Sequence, residues 1–148
     1  MSHTALIVGQ GGKISIEVLG YENLHAQNPD DANWLTTELS VEVGPFVGRF
    51  RAALTTYDLM VLYERLEGAL SSLSGQISFQ STEDNLSLEA KFARDGTVEL
   101  EGVVQPSSSY KAALHYRFES DPGLLSRAVH ELKLLIEKFP AKLAASSI

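Results

Sequence analysis

The sequence contains no cysteine, so neither disulfide bonds nor cysteine-ligated zinc sites are available to it. No apolar run approaches the roughly 20 residues that a membrane-spanning helix requires. The first residues, MSHTALIVGQGG, have no cationic segment and only a short apolar run, which does not suit a secretory signal. We therefore expect a globular, cytoplasmic protein with no membrane partner.

Basic residues are scarce as well. The chain of 148 residues has 12 Lys and Arg against 19 Asp and Glu, which gives a net charge of −7. A field of this sign disfavours nucleic acid as a partner and speeds the encounter with a basic protein. Solubility alone also accounts for a charge of this size, so the charge by itself selects no function.

The motifs of common catalytic sites are missing. The GGK at 11–13 lacks the GxxxxGK[ST] spacing of a phosphate loop, and His130-Glu131 would need a histidine at 134, where the chain has leucine. The four histidines have no ligand spacing, and no serine lies in GxSxG or SxxK. We predict no enzymatic activity, no catalytic residue, no cofactor and no metal site.

Hydrophobic periodicity, in contrast, is clear. Apolar and polar residues alternate over 35–43 and again over 46–54, with Gly44-Pro45 between them, which predicts two antiparallel strands. Thr55 has the features of a helix N-cap, and apolar residues then recur at helical spacing over 59–73. This segment predicts strand, turn, strand and amphipathic helix.

The second half of the chain follows the same plan. Four strand-like runs, the last from Tyr110, precede a helix that begins at Asp121-Pro122. Its apolar positions repeat those of the first helix 66 residues later, and both duplication and independent selection of a strand-to-helix pattern produce this spacing. We predict an α+β fold: a single domain over 1–148, about eight strands in a mostly antiparallel sheet, two helices packed on one face, tandem units at 4–73 and 75–139, a loop at 20–33 and a tail at 140–148.

The outward faces of the strands hold the candidate binding residues. An open, wet sheet face suits recognition of a charged partner better than acid–base catalysis, which needs a desolvated cleft. A tryptophan at the end of a strand can anchor an interface. The predicted partner-binding residues are Trp34, Glu38, Glu42, Arg49, Arg51, Glu99 and Glu101.

The segment DANWL at 31–35, followed by the alternating strands and the capped helix, resembles the WapI family of bacterial immunity proteins. The ending FESDPGLLSRAVHELKLLIEKFP continues the resemblance, which covers about residues 12 to 140. It implies a protein that binds and inhibits the C-terminal domain of a Wap- or Rhs-type polymorphic toxin, in the best-known case a tRNA nuclease, as in contact-dependent inhibition. The family pattern implies no catalytic residues, and a nuclease of this kind is typically basic, which would suit an acidic inhibitor.

Two other interpretations stay open. One is a ligand-binding module or an enzyme with a pocket between sheet and helices, for which a buried His115 or carboxylate pair in a deep apolar pocket would be the sign. The other is a self-associating structural domain. The sequence does not distinguish a monomer from a dimer.

Overall fold

The computed structural model describes residues 3–106 and 111–142. These residues form eight strands and three helices. In chain order they are β1 (Thr4–Gly9), β2 (Gly12–Tyr21), α1 (Pro29–Ala32), β3 (Trp34–Val43), β4 (Phe46–Thr55), α2 (Thr56–Ser72), β5 (Gly75–Gln80), β6 (Leu86–Phe92), β7 (Val98–Val104), β8 (Leu114–Ser120) and α3 (Pro122–Lys138). The last strand was predicted from Tyr110, which lies outside the described residues.

The strands form two antiparallel sheets of four, each in the order of the chain. The first sheet is β1-β2-β3-β4 and the second is β5-β6-β7-β8, and each is followed by a 17-residue helix. The predicted α+β class is confirmed, and the arrangement follows the predicted plan of four strands and a helix, twice. The eight strands divide into two sheets because each strand pairs with its neighbour in sequence through a short connection, and the helix α2 then interrupts the series.

Each helix packs against the first strand of the other unit. Helix α2 lies along β5, α3 lies along β1, and the two helices contact each other. The Arg65 guanidinium donates to the main-chain oxygen of Ser78 in β5, and the Glu131 carboxylate accepts from the main-chain N–H of Leu6 in β1 at 2.9 Å. Arg65 and Glu131 are 66 residues apart, so the same helix position covers an edge strand in both units.

One hydrophobic core joins both sheets and both long helices. The apolar face predicted for α3 is buried or partly buried along its whole length, and so is that of α2 up to Leu70. Leu73 was predicted on the same face, but this is wrong: it has a left-handed φ of 52° as the C-cap and is 59% exposed. The helix ends there because a residue with left-handed φ and ψ cannot continue a right-handed helix.

The predicted loop at 20–33 contains one helical turn, α1. The Asn28 side chain accepts from the Asp31 N–H at 2.9 Å, and Pro29 occupies the first turn, where it needs no hydrogen-bond donor. The sequence signal was the Asn-Pro pair at positions 28–29, which is typical of a helix start as well as of a turn.

The described part of the predicted tail, residues 140–142, is bound to the first unit. Asn33 and Lys142 exchange two hydrogen bonds, of 3.1 Å and 2.6 Å, and the Tyr21 hydroxyl donates to the Pro140 oxygen at 2.6 Å. The Lys142 ammonium also lies 3.7 Å from the centre of the Tyr21 ring. These contacts attach the chain after α3 to β2 and to the start of β3; residues 143–148 lie outside the described part.

Tyr116 fills a space in the second sheet that Gly102 leaves. Its ring is buried, and its hydroxyl donates to the main-chain oxygen of Ser87 at 2.6 Å. Burial raises the pKa of Tyr116 well above its ordinary value of 10.0, because the phenolate would lose its hydration.

Tyr116 should make stability depend on alkaline pH. The folded state favours the neutral phenol, so its contribution is complete below the unfolded pKa of 10.0 and is lost progressively above it. We expect the free energy of unfolding, measured with urea from about pH 8 to about pH 11, to fall less steeply in Tyr116→Phe than in the unmodified chain. At neutral pH the variant should be less stable by about 1 kcal/mol because the buried hydrogen bond is lost. Equal slopes would contradict the assignment.

Candidate functional site

Five of the seven predicted binding residues share the outer face of the first sheet. Trp34, Glu38 and Glu42 lie on this face of β3, and Arg49 and Arg51 lie on the neighbouring strand β4. The face forms because β3 and β4 alternate in register, so that every second side chain points away from the core. Trp34, at the start of β3, is half-buried.

One carboxylate on this face serves two arginines. The Nε atoms of Arg49 and Arg51 lie 3.8 Å and 3.5 Å from the two carboxylate oxygens of Glu38. Glu42 is paired instead with Lys13 of β2, at 3.0 Å. All these groups are at least partly exposed, so the pairs contribute little to stability and chiefly fix where the charges lie.

The remaining two predicted residues lie on the outer face of the other sheet. Glu99 and Glu101 of β7 both contact Arg117 of β8, at 3.4 Å and 3.1 Å. The hydrogen bond to Glu101, with the charges on both glutamates, raises the pKa of the exposed Arg117 guanidinium. The structure therefore divides the predicted set between two faces.

The two faces carry the same row of charges. Directly paired residues across three strands read Glu, Glu and Arg in both sheets: Glu17, Glu38 and Arg51 in the first, and Glu89, Glu101 and Arg117 in the second. Glutamates directly opposite each other are unfavourable, and the arginine compensates only the nearer one. Among the described residues neither Glu17 nor Glu89 has a cationic partner. Both were outward positions in the sequence, but their pairing depends on strand register and could not be predicted.

A polar groove of about 430 Å³ lies on the second sheet, with Glu89, Glu101 and His115 in its lining. His115 is exposed, and Glu99 and Glu101 are only partly buried. The sign expected of a ligand-binding pocket, a buried His115 or carboxylate pair, is thus not met.

An apolar groove of about 440 Å³ lies where β4 meets the start of β8. Val47, Gly48 and Phe50 line it from β4, and Leu114 lines it from β8. Gly48 allows the close approach, since a Cβ there would lie 3.3 Å from the nearest Leu114 methyl carbon. The alternation over 46–54 predicts that Phe46 faces the core. This prediction is wrong, because Phe46 is 64% exposed. The sequence could not show this, because alternation indicates which face of the strand a residue occupies but not whether another element packs against that face there.

Residues 3–106 and 111–142 contain no group of three or more His, Asp or Glu side chains arranged to hold a metal ion. None of the helices in this part of the chain is both long and apolar enough to span a membrane.

The geometry thus defines an α+β domain of two antiparallel sheets. The outer face of each sheet is charged, and an apolar groove lies between β4 of the first sheet and β8 of the second. The family model described as the immunity protein WapI-like family matches residues 5–140, and the chain belongs to this family. The match confirms the resemblance carried by DANWL and by the last helix. A search of curated proteins finds no significant match.

Proposed function

We propose that this protein is the immunity partner of a polymorphic toxin of the Wap or Rhs kind. It would bind the C-terminal toxin domain in the cytoplasm of the producing cell and block its activity by occlusion, without an enzymatic step of its own. The observation that carries this proposal is the immunity-family match over residues 5–140.

The charge distribution supports a basic, nuclease-type toxin. The chain has a net charge of −7. Among the described residues, three outward-facing glutamates have no cationic partner: Glu17 on the first sheet, and Glu89 and Glu119 on the second. A nuclease holds phosphates with basic side chains, so carboxylates on a rigid sheet can occupy the same site and accelerate association.

Of the two faces, that of the first sheet is the better candidate for contact. It holds Trp34, Glu38, Glu42, Arg49 and Arg51, and it borders the apolar groove through β4. An apolar centre with a charged rim is the usual composition of a protein–protein interface. Glu99 and Glu101 would then lie outside the main contact.

The test is binding to the C-terminal toxin domain encoded by the adjacent gene. We expect a tight complex whose association slows as salt is added, because screening weakens steering between opposite charges. Two double variants with the same charge change identify the face: Glu17→Gln with Glu38→Gln should lower the association rate about tenfold, whereas Glu89→Gln with Glu101→Gln should change it by less than about twofold. Absence of any complex at low salt would overturn the proposal.

A further inference from the structure

The outer edge of β4 has no strand partner from Val47 to Arg51 among residues 3–106 and 111–142. The main-chain N–H of Ala53 in β4 donates to the Asn85 side chain at 2.9 Å and therefore points away from β3. In an antiparallel strand the main-chain groups of every second residue point in the same direction. Val47, Arg49 and Arg51 therefore direct their main-chain N–H and C=O groups outward. No described residue bonds to these groups.

This openness contrasts with the edges of β1 and β5. There, Glu131 and Arg65 from the helices bond to the main chain of the edge strand. Proteins usually block exposed strand edges because they pair readily with other chains. The edge of β8 is also partly used, since the Glu119 oxygen accepts from the Gln10 N–H at 2.7 Å.

The apolar groove lies beside the open edge. It is lined by Gly48 and Phe50 on one side and by Val104 and Leu114 on the other, with a volume of about 440 Å³. A strand that paired with β4 would direct every second side chain to the face of β4 that carries Gly48 and Phe50. Those side chains would enter the groove.

Charge decides which strand fits. On the other face of β4, Arg49 and Arg51 share the single carboxylate of Glu38, which leaves an excess of positive charge along this edge. Acidic side chains on the incoming strand would neutralise it. A second copy of this chain, paired antiparallel about this stretch, would place arginine opposite arginine, which is unfavourable.

We propose that the edge of β4 from Val47 to Arg51 receives an extended segment of the cognate toxin domain as a fifth strand of the first sheet. The segment carries apolar side chains toward Phe50 and Leu114 and acidic side chains toward Arg49 and Arg51. This inference rests on the proposed function and specifies the part of the toxin that the protein holds.

A pair of variants at one position separates main-chain pairing from side-chain contact. Proline at position 49 lacks the main-chain N–H that points away from β3. The substitution therefore leaves the hydrogen bonds between β3 and β4 in place. By calorimetry with the adjacent-gene toxin domain, we expect Arg49→Ala to weaken binding about tenfold and Arg49→Pro at least about 100-fold. Equal losses for the two variants would overturn strand addition.

Amide hydrogen exchange provides a test that needs no substitution. The N–H groups of Val47, Arg49 and Arg51 should exchange rapidly in the free protein and become protected in the complex, while those of His115 and Arg117 on β8 should not change. A complex without this protection overturns the inference alone. Protection already in the free protein would show the edge occupied by this chain or a second copy, which also overturns it. Absence of any complex would instead contradict the proposed function, and the inference with it.

Discussion

Gly102→Ala is expected to lower the free energy of unfolding by about 3–4 kcal/mol, through overpacking and the loss of one buried hydrogen bond. A Cβ at this position would lie 2.0 Å from the main-chain oxygen of Ser87 and 2.6 Å from the Tyr116 hydroxyl oxygen. Neither atom can move easily, because Ser87 belongs to the neighbouring strand β6 and the Tyr116 ring is buried. Urea unfolding followed by circular dichroism measures the loss.

The matched control for this variant is Gly68→Ala in helix α2. A Cβ at Gly68 would have no described atom within 4 Å apart from its chain neighbours and the backbone of its own helix, and the residue is exposed. Alanine is the better helix former, so we expect a gain of about 0.5–1 kcal/mol. If Gly102→Ala cost less than about 1 kcal/mol, β6 and β7 would have to separate more freely than a packed sheet allows.

Asp58→Ala is expected to cost about 3 kcal/mol, since α2 loses the Asp58 half of its capping box and three hydrogen bonds lose their buried acceptor. One carboxylate oxygen accepts from the Thr55 N–H at 2.9 Å, and the other accepts from the N–H and hydroxyl of Thr82, at 3.0 Å and 2.8 Å. Asp58 is only 6% exposed, so water does not replace these bonds readily. Because Thr82 lies between β5 and β6, Asp58 also connects α2 to the second unit.

Asp121→Ala at the start of α3 serves as the control for Asp58. Asp121 is exposed, and its side chain accepts one hydrogen bond, from the Leu124 N–H at 2.9 Å. We expect it to cost about 1 kcal/mol, as for an ordinary N-cap. Thermal unfolding of both variants gives the comparison, and equal losses would show that the contacts to Thr82 contribute nothing.

Local structure in this protein could be predicted from the sequence to a large extent. The alternation over 35–43 and 46–54 and the caps at Thr55 and Asp121 each correspond to an observed strand or helix start. The failures fall where an element ends: Leu73 continues the helical pattern but serves as a C-cap, and Phe46 continues the inward row but is exposed. At such positions the apolar pattern continues along the sequence, although the side chain is no longer buried.

The candidate site was predictable in its parts and not in its arrangement. That Glu38, Glu42, Arg49 and Arg51 share one face follows from the two-residue period and the Gly-Pro turn between β3 and β4. The pairing of Glu17 with Glu38 depends on the register between β2 and β3, which includes a shift between Val18 and Gly20. A pattern along one strand contains no information about its neighbour's register beyond which face is buried.

The sequence by itself determined the class of the fold, the two matched halves and the family, because these depend on spacings within the chain. Only the tertiary structure decided that the strands form two sheets and that each helix covers an edge strand of the other unit. It also decided that, in the described part of the chain, the outer edge of β4 from Val47 to Arg51 has no partner and lies beside an apolar groove. The physical reason is that edge coverage and grooves arise between residues far apart in the chain, such as Gly48 and Leu114, whose contact no local pattern encodes.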